Sequence, residues 1–71
     1  MREDGAMTMQ PNEIFELIVK ADEKLKYATA EKSEARRRQA KDLLTQALEA
    51  AHEIGNDALV QQAELRLSDL A

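Results

Sequence analysis

The chain has 71 residues, no cysteine, and 10 Lys and Arg against 14 Asp and Glu, which gives a net charge of −4. This length allows one small domain, the missing cysteines exclude disulfides and thiolate metal sites, and the acidic balance disfavours nucleic acid as a partner. The sequence also lacks the apolar run of a signal peptide and the run of about 18 apolar residues that spans a membrane, so we expect a cytoplasmic protein.

Residues 1–10 show no hydrophobic periodicity, so the sequence predicts a flexible N-terminal tail followed by a single domain over residues 11–71. The true start is open among Met1, Met7 and Met9, and it is equally open whether the chain is a fragment of a longer protein. Aromatic residues make up only 3% of the chain, so the core of this domain is expected to be thin and aliphatic.

A first helix is predicted over residues 12–29. Pro11 suits the first turn of a helix, and Asn12 is a candidate N-cap. Val19 and Tyr27 lie away from the apolar stripe. The stripe itself repeats at the helical spacing of 3.6 residues and consists of Ile14, Leu17, Ile18, Ala21, Leu25 and Ala28.

A second helix is predicted over residues 32–54, and its end is better defined than its start. Residues 29–33 contain neither Gly nor Pro, so a short turn and a continuous bent helix both fit, and the need to form a core favours the turn. Gly55 suits the position just after a helix, where a positive φ is required. The apolar stripe of this helix is Ala40, Leu43, Leu44, Ala47, Leu48, Ala51 and Ile54.

A third helix is predicted over residues 57–70, with Asn56 or Asp57 as its N-cap. Leu65 points away from its stripe, which is formed by Leu59, Val60, Ala63, Leu67 and Leu70. Because the connection after the second helix is so short, these two helices must be antiparallel. The sequence therefore predicts an all-α fold, a small bundle of three antiparallel helices.

Residues that carry out catalysis or bind cofactors are scarce. The single histidine, His52, lies beside the apolar stripe near the end of the second helix, where a positive charge suits the helix dipole. Gly5 and Gly55 are the only glycines, so no Gly-rich phosphate loop exists. We therefore expect a non-enzymatic protein with no cofactor and no metal.

The basic segment Lys32–Lys41 is the one charge run that stands out. It falls in the first half of the second helix, where the dipole disfavours cations. On a helical wheel Arg36 lies within the apolar stripe, Arg37 beside it and Arg38 on the solvent face. We favour an ordinary neutralised helix surface, but Arg36, Arg37, Arg38 and Lys41 are also candidate contacts for an acidic partner.

Three apolar residues outside the predicted core are further candidate contacts: Val19, Tyr27 and Leu65. Single exposed apolar side chains are common and need no explanation. If the three converge in the folded protein, they mark a face for a partner or for a second copy of the chain.

The run from Ala40 to Leu59 resembles the tetratricopeptide-repeat family, in which a helix with an Ala-Leu-x-x-Ala core ends in a Gly-Asn or Gly-Asp turn. The resemblance covers about residues 40–70 and implies an antiparallel helical hairpin, with the first helix similar to the first helix of a preceding repeat. A three-helix domain of the microtubule-interacting-and-trafficking kind is a more distant resemblance.

The leading hypothesis is a helical protein-interaction or scaffold module that binds a protein partner or a second copy of itself. The alternative is a small regulatory protein that contacts nucleic acid or an acidic partner through the basic segment. The sequence identifies neither the partner nor the pathway.

Overall fold

A computed structural model describes residues 9–27 and 33–70 of the chain. Within these two ranges the protein consists of three α-helices and no strand, which confirms the predicted all-α fold and the small three-helix bundle. The helices are α1 (Pro11–Lys26), α2 (Ser33–Glu53) and α3 (Asp57–Leu70).

Several sequence-based expectations lie outside the described residues. These are most of the predicted tail, residues 29–32 of the stretch 29–33 where a short turn and a continuous bent helix both fit, and residue 71. The first helix ends at Lys26, three residues earlier than predicted, and Tyr27 is its C-cap. The single-domain expectation for residues 11–71 stays a prediction.

The start of α1 is one residue earlier than predicted. Gln10 is the N-cap, with extended backbone angles of φ −76° and ψ 154°, and Pro11 occupies the first helical position. The backbone N–H of Gln10 donates to the Glu13 carboxylate at 2.9 Å. Proline suits this position because it has no N–H to leave unsatisfied. Since the helix begins at Pro11, Asn12 lies inside it and does not cap it.

The turn between α2 and α3 forms as predicted, around Gly55 at φ +69°. The Gly55 N–H donates to the His52 carbonyl at 3.1 Å, and the Asn56 N–H donates to the Ala51 carbonyl at 2.9 Å. These two bonds form a Schellman motif, which satisfies carbonyls at the end of α2. Only glycine adopts this positive φ without a steric cost.

Asn56, and not Asp57, caps α3. Its side-chain oxygen accepts the backbone N–H of Leu59 at 3.1 Å, the third residue of the helix. Asp57 is in the first turn, where its charge complements the positive end of the helix dipole. The connection from α2 to α3 is thus fixed by backbone hydrogen bonds at the end of α2 and by the Asn56 side chain at the start of α3.

The core is built around α2, which packs against both α1 and α3, whereas α1 and α3 contact one another less extensively. Its inward face is mainly alanine, with Leu44 as its one fully buried large side chain. Ile14 and Ile18 of α1 are also fully buried. Small side chains on α2 allow the helix axes to approach closely.

The three helices alternate in direction, so the molecule has two distinct ends. At one end Met9 and Pro11, at the start of α1, lie beside the α2–α3 turn at Gly55. At the other end the Arg37 guanidinium of α2 donates to the carbonyl of Leu70, the last residue of α3, at 3.3 Å. Residues 33–41 of the predicted basic segment therefore lie at the end where α3 finishes.

Candidate functional site

A cleft of about 480 Å³ lies between the second half of α1 and the first half of α2. We call it the basic cleft. Three of its lining residues come from α1, one is the C-cap of α1 and two come from α2: Lys20, Glu23, Lys24, Tyr27, Arg36 and Leu43.

The helical repeat explains why these residues meet. Lys20, Lys24 and Tyr27 are spaced by four and three residues and so lie on one side of α1. Arg36 and Leu43 are seven residues apart, which places them on one side of α2. Both are half-buried against the neighbouring helix. This agrees with the helical wheel, which places Arg36 within the apolar stripe.

The basic cleft is positively charged in an acidic protein. Three cationic side chains against the single carboxylate of Glu23 leave a local charge of +2, whereas the whole chain carries −4. A guanidinium binds carboxylates and phosphates through two parallel hydrogen bonds. Because Arg36 is half-buried, its interactions are less screened by water than those of a fully exposed arginine.

Tyr27 adds an aromatic surface at the mouth of the cleft. It is 64% exposed and follows the last residue of α1. The Lys26 ammonium lies 5.6 Å from the centre of its ring, within the range of a cation–π contact. This edge of the cleft therefore presents both a polar hydroxyl and an aromatic ring.

The structure divides the predicted arginine patch between two sides of α2. Arg36 lines the basic cleft, whereas Arg37 and Arg38 line a separate groove of about 320 Å³ beside the end of α3, together with Lys41 and Glu34. Arg37 is engaged with α3 through its bond to the Leu70 carbonyl. Arg38 is exposed, as the helical wheel predicts.

Of the three predicted apolar contacts, Leu65 is placed apart from Val19 and Tyr27. Tyr27 borders the basic cleft, and Val19 is 37% exposed on α1. Leu65 is 64% exposed and lies in a depression lined entirely by residues of α3. Tyr27 and Leu65 thus border different depressions.

Sequence reasoning did not single out Lys20, Lys24 or Leu43 for the cleft, nor Phe15 as an exposed residue. Phe15 is 49% exposed on α1. The four-residue spacing of Phe15 and Val19, and of the two lysines, was the available signal. The spacing shows that these residues share a side of α1, but whether that side is exposed depends on where the other helices pack.

An ion pair fixes α1 to α3 on the side away from the basic cleft. The Arg66 guanidinium Nε lies 3.0 Å and 3.1 Å from the two carboxylate oxygens of Asp22. Arg66 also donates to the side-chain oxygen of Gln62 at 2.6 Å, one turn earlier in α3. This network holds the second halves of α1 and α3 side by side.

His52, the single histidine of the chain, does not line the basic cleft. His52 is exposed near the end of α2. Residues 9–27 and 33–70 contain no group of three or more acids or histidines placed to hold a metal ion. Over the same ranges, none of the helices is long and apolar enough to cross a membrane.

Comparisons with protein-family models, curated proteins and solved structures give no match for the chain. The tetratricopeptide resemblance over residues 40–70 therefore stays a prediction.

Proposed function

We propose that this chain is a non-enzymatic protein-interaction module that binds an acidic segment of a partner protein in the basic cleft. The observation that carries this proposal is the grouping of Lys20, Lys24 and Arg36 around Tyr27 and Leu43 between two helices. Grooves between helices are a recurring place for peptides and helices to dock. The cysteine-free sequence fits a cytoplasmic location, which is part of the same proposal.

Each side chain of the cleft has a distinct part in this binding. Arg36 pairs with a carboxylate of the partner, and its half-buried position makes this the strongest of the charged contacts. Lys20 and Lys24 are more flexible charges that raise the association rate. Leu43 and Tyr27 provide the apolar surface that an aliphatic side chain of the partner covers.

The test is fluorescence anisotropy with a labelled peptide of alternating Glu and Leu, and with a Lys–Leu peptide of equal length as the probe control. We expect the acidic peptide to bind in low salt and more weakly at about 0.15 M salt, because charge pairing is screened. Arg36→Gln should weaken binding about tenfold, which corresponds to about 1.4 kcal/mol. The matched control Arg38→Gln removes the same charge outside the cleft and should change binding less than twofold.

The two variants separate this proposal from its alternative. Equal losses for Arg36→Gln and Arg38→Gln would show that charge anywhere in the basic segment suffices, and would remove the cleft from the argument. A single-stranded oligonucleotide of equal charge serves as a third probe. If it binds more tightly than the acidic peptide, the module is a nucleic-acid-binding protein instead.

A further inference from the structure

The outward side of α1 carries most of the exposed apolar surface among the described residues. Of their four exposed large apolar side chains, Phe15 and Val19 belong to this helix and Tyr27 is its C-cap. Positions 15, 19, 23 and 27 are each four residues apart, and three of them are apolar. The exception is position 23, which is Glu23. Such a series forms one continuous stripe along a helix. The stripe begins with Phe15 at the edge of the buried face that contains Ile14 and Ile18, and it reaches the opposite side of the helix at Tyr27.

Charged residues of α1 change sign along its length. The exposed residues Glu13 and Glu16 lie in the first half, and Lys20 and Lys26 lie in the second half. Asp22, an exception in the second half, is paired with Arg66 of α3. Apart from Glu23, the exposed charges beside the apolar stripe are thus acidic in the first half of the helix and basic in the second half.

We propose that a second copy of the chain packs its own α1 antiparallel against this face. We place the two-fold axis at the level of residue 21, midway along the stripe. Phe15 of each copy then contacts Tyr27 of the other, and Val19 contacts the aliphatic part of the Glu23 side chain. Glu16 of each copy then lies opposite Lys26 of the other. Every contact occurs twice, as a two-fold symmetric interface requires.

Charge complementarity selects the second copy and its direction. An antiparallel copy brings the basic finish of one helix to the acidic start of the other. A parallel copy would place Glu16 on Glu16 and Lys26 on Lys26, and like charges in direct contact are unfavourable. The aromatic pairs of Phe15 with Tyr27 add a contact at each end of the interface.

The expected dimer is weak. The 16 residues of α1 span about 24 Å at 1.5 Å per residue, so a single helix pair forms an interface at the small end of the observed range. We therefore expect monomer and dimer to exchange at micromolar or higher concentration. The dimer face shares Tyr27 and Glu23 with the basic cleft, but the two proposals fail separately, because Glu16 and Lys26, which the test below changes, do not line the cleft.

Sedimentation equilibrium on charge-reversed variants tests the pairing. Glu16→Lys alone and Lys26→Glu alone place like charges at both symmetric contacts, so each should weaken the homodimer about tenfold or more. An equimolar mixture should recover the affinity of the original chain, since in the heterodimer both contacts again join opposite charges. The matched control Glu49→Lys, an exposed position on α2, should leave dimerisation unchanged.

Three results would overturn the proposal: an original chain that stays monomeric at millimolar concentration, single variants that dimerise like the original chain, or a mixture that stays monomeric. Circular dichroism on each variant establishes that the helices are retained. Should a single variant lose its helices, the double variant Glu16→Lys/Lys26→Glu provides a second test. It restores opposite charges within one chain and is expected to form a homodimer.

Discussion

Leu44 is the only large side chain of α2 that is fully buried, and α2 is the helix that both other helices pack against. Leu44→Ala therefore tests whether this position holds the core together. The substitution removes three side-chain carbons from a fully buried site. It leaves a cavity, because the buried side chains of α2 on either side of this position are alanines and are too small to fill it.

The expected cost is a large part of the total stability. At about 0.8 kcal/mol per buried carbon group, the lost transfer free energy is about 2.4 kcal/mol. The cavity raises the cost to about 3 kcal/mol, inside the range of about 2–5 kcal/mol measured for such substitutions. A domain of 71 residues at about 0.05–0.15 kcal/mol per residue has a free energy of unfolding of roughly 4–11 kcal/mol.

Urea denaturation followed by far-ultraviolet circular dichroism measures this change as a lower midpoint with an unchanged slope. The protein concentration is kept low and constant, because self-association would raise the apparent stability. Leu65→Ala is the matched control, since Leu65 is exposed and its loss should cost less than about 0.5 kcal/mol. If Leu44→Ala costs no more than Leu65→Ala, the core is not centred on α2.

Three smaller effects follow from the turn and the surface. Gly55→Ala should cost about 1–2 kcal/mol in urea denaturation because of its positive φ, although the added carbon meets no atom within 4 Å; a smaller cost for Gly55→Asn would confirm that backbone conformation is the cause. Asn56→Ala should cost about 1 kcal/mol through loss of the cap on Leu59, and Asn56→Asp should cost little; equal losses would show that the cap is not responsible. A double-mutant cycle on Asp22 and Arg66 should give a coupling of about 1 kcal/mol or less, because the pair is partly exposed, and a value above about 2 kcal/mol would contradict this reasoning.

The sequence predicted best where the cause of a structure lies within a few residues. Gly55 and Asn56 define the turn through their own backbone and side-chain chemistry, so the end of α2 and the start of α3 follow from local pattern. The start of α1 is also local, yet both Pro11 and Asn12 are good residues for a helix start. The carboxylate of Glu13, which reaches back to the Gln10 N–H, accompanies the earlier start.

The placement of the candidate site could be predicted only in part. Periodicity correctly indicated that Arg36 is partly buried and Arg38 exposed. It could not assign Arg36 to one groove and Arg37 to another, because that division depends on where α1 and α3 lie around α2. The bond from Arg37 to Leu70 joins residues 33 positions apart, and no local pattern contains such a contact. The exposure of Phe15 has a similar origin, since α1 and α3 contact one another only to a limited extent.

An odd number of alternating helices has a consequence for how this module can be joined to others. The described chain enters beside the α2–α3 turn, near Met9, and leaves at Leu70 beside Arg37, at the opposite end. The 14 residues of α3 alone separate these points by about 21 Å. Groups attached at Met9 and at Leu70 would therefore be held apart along the axis of the bundle.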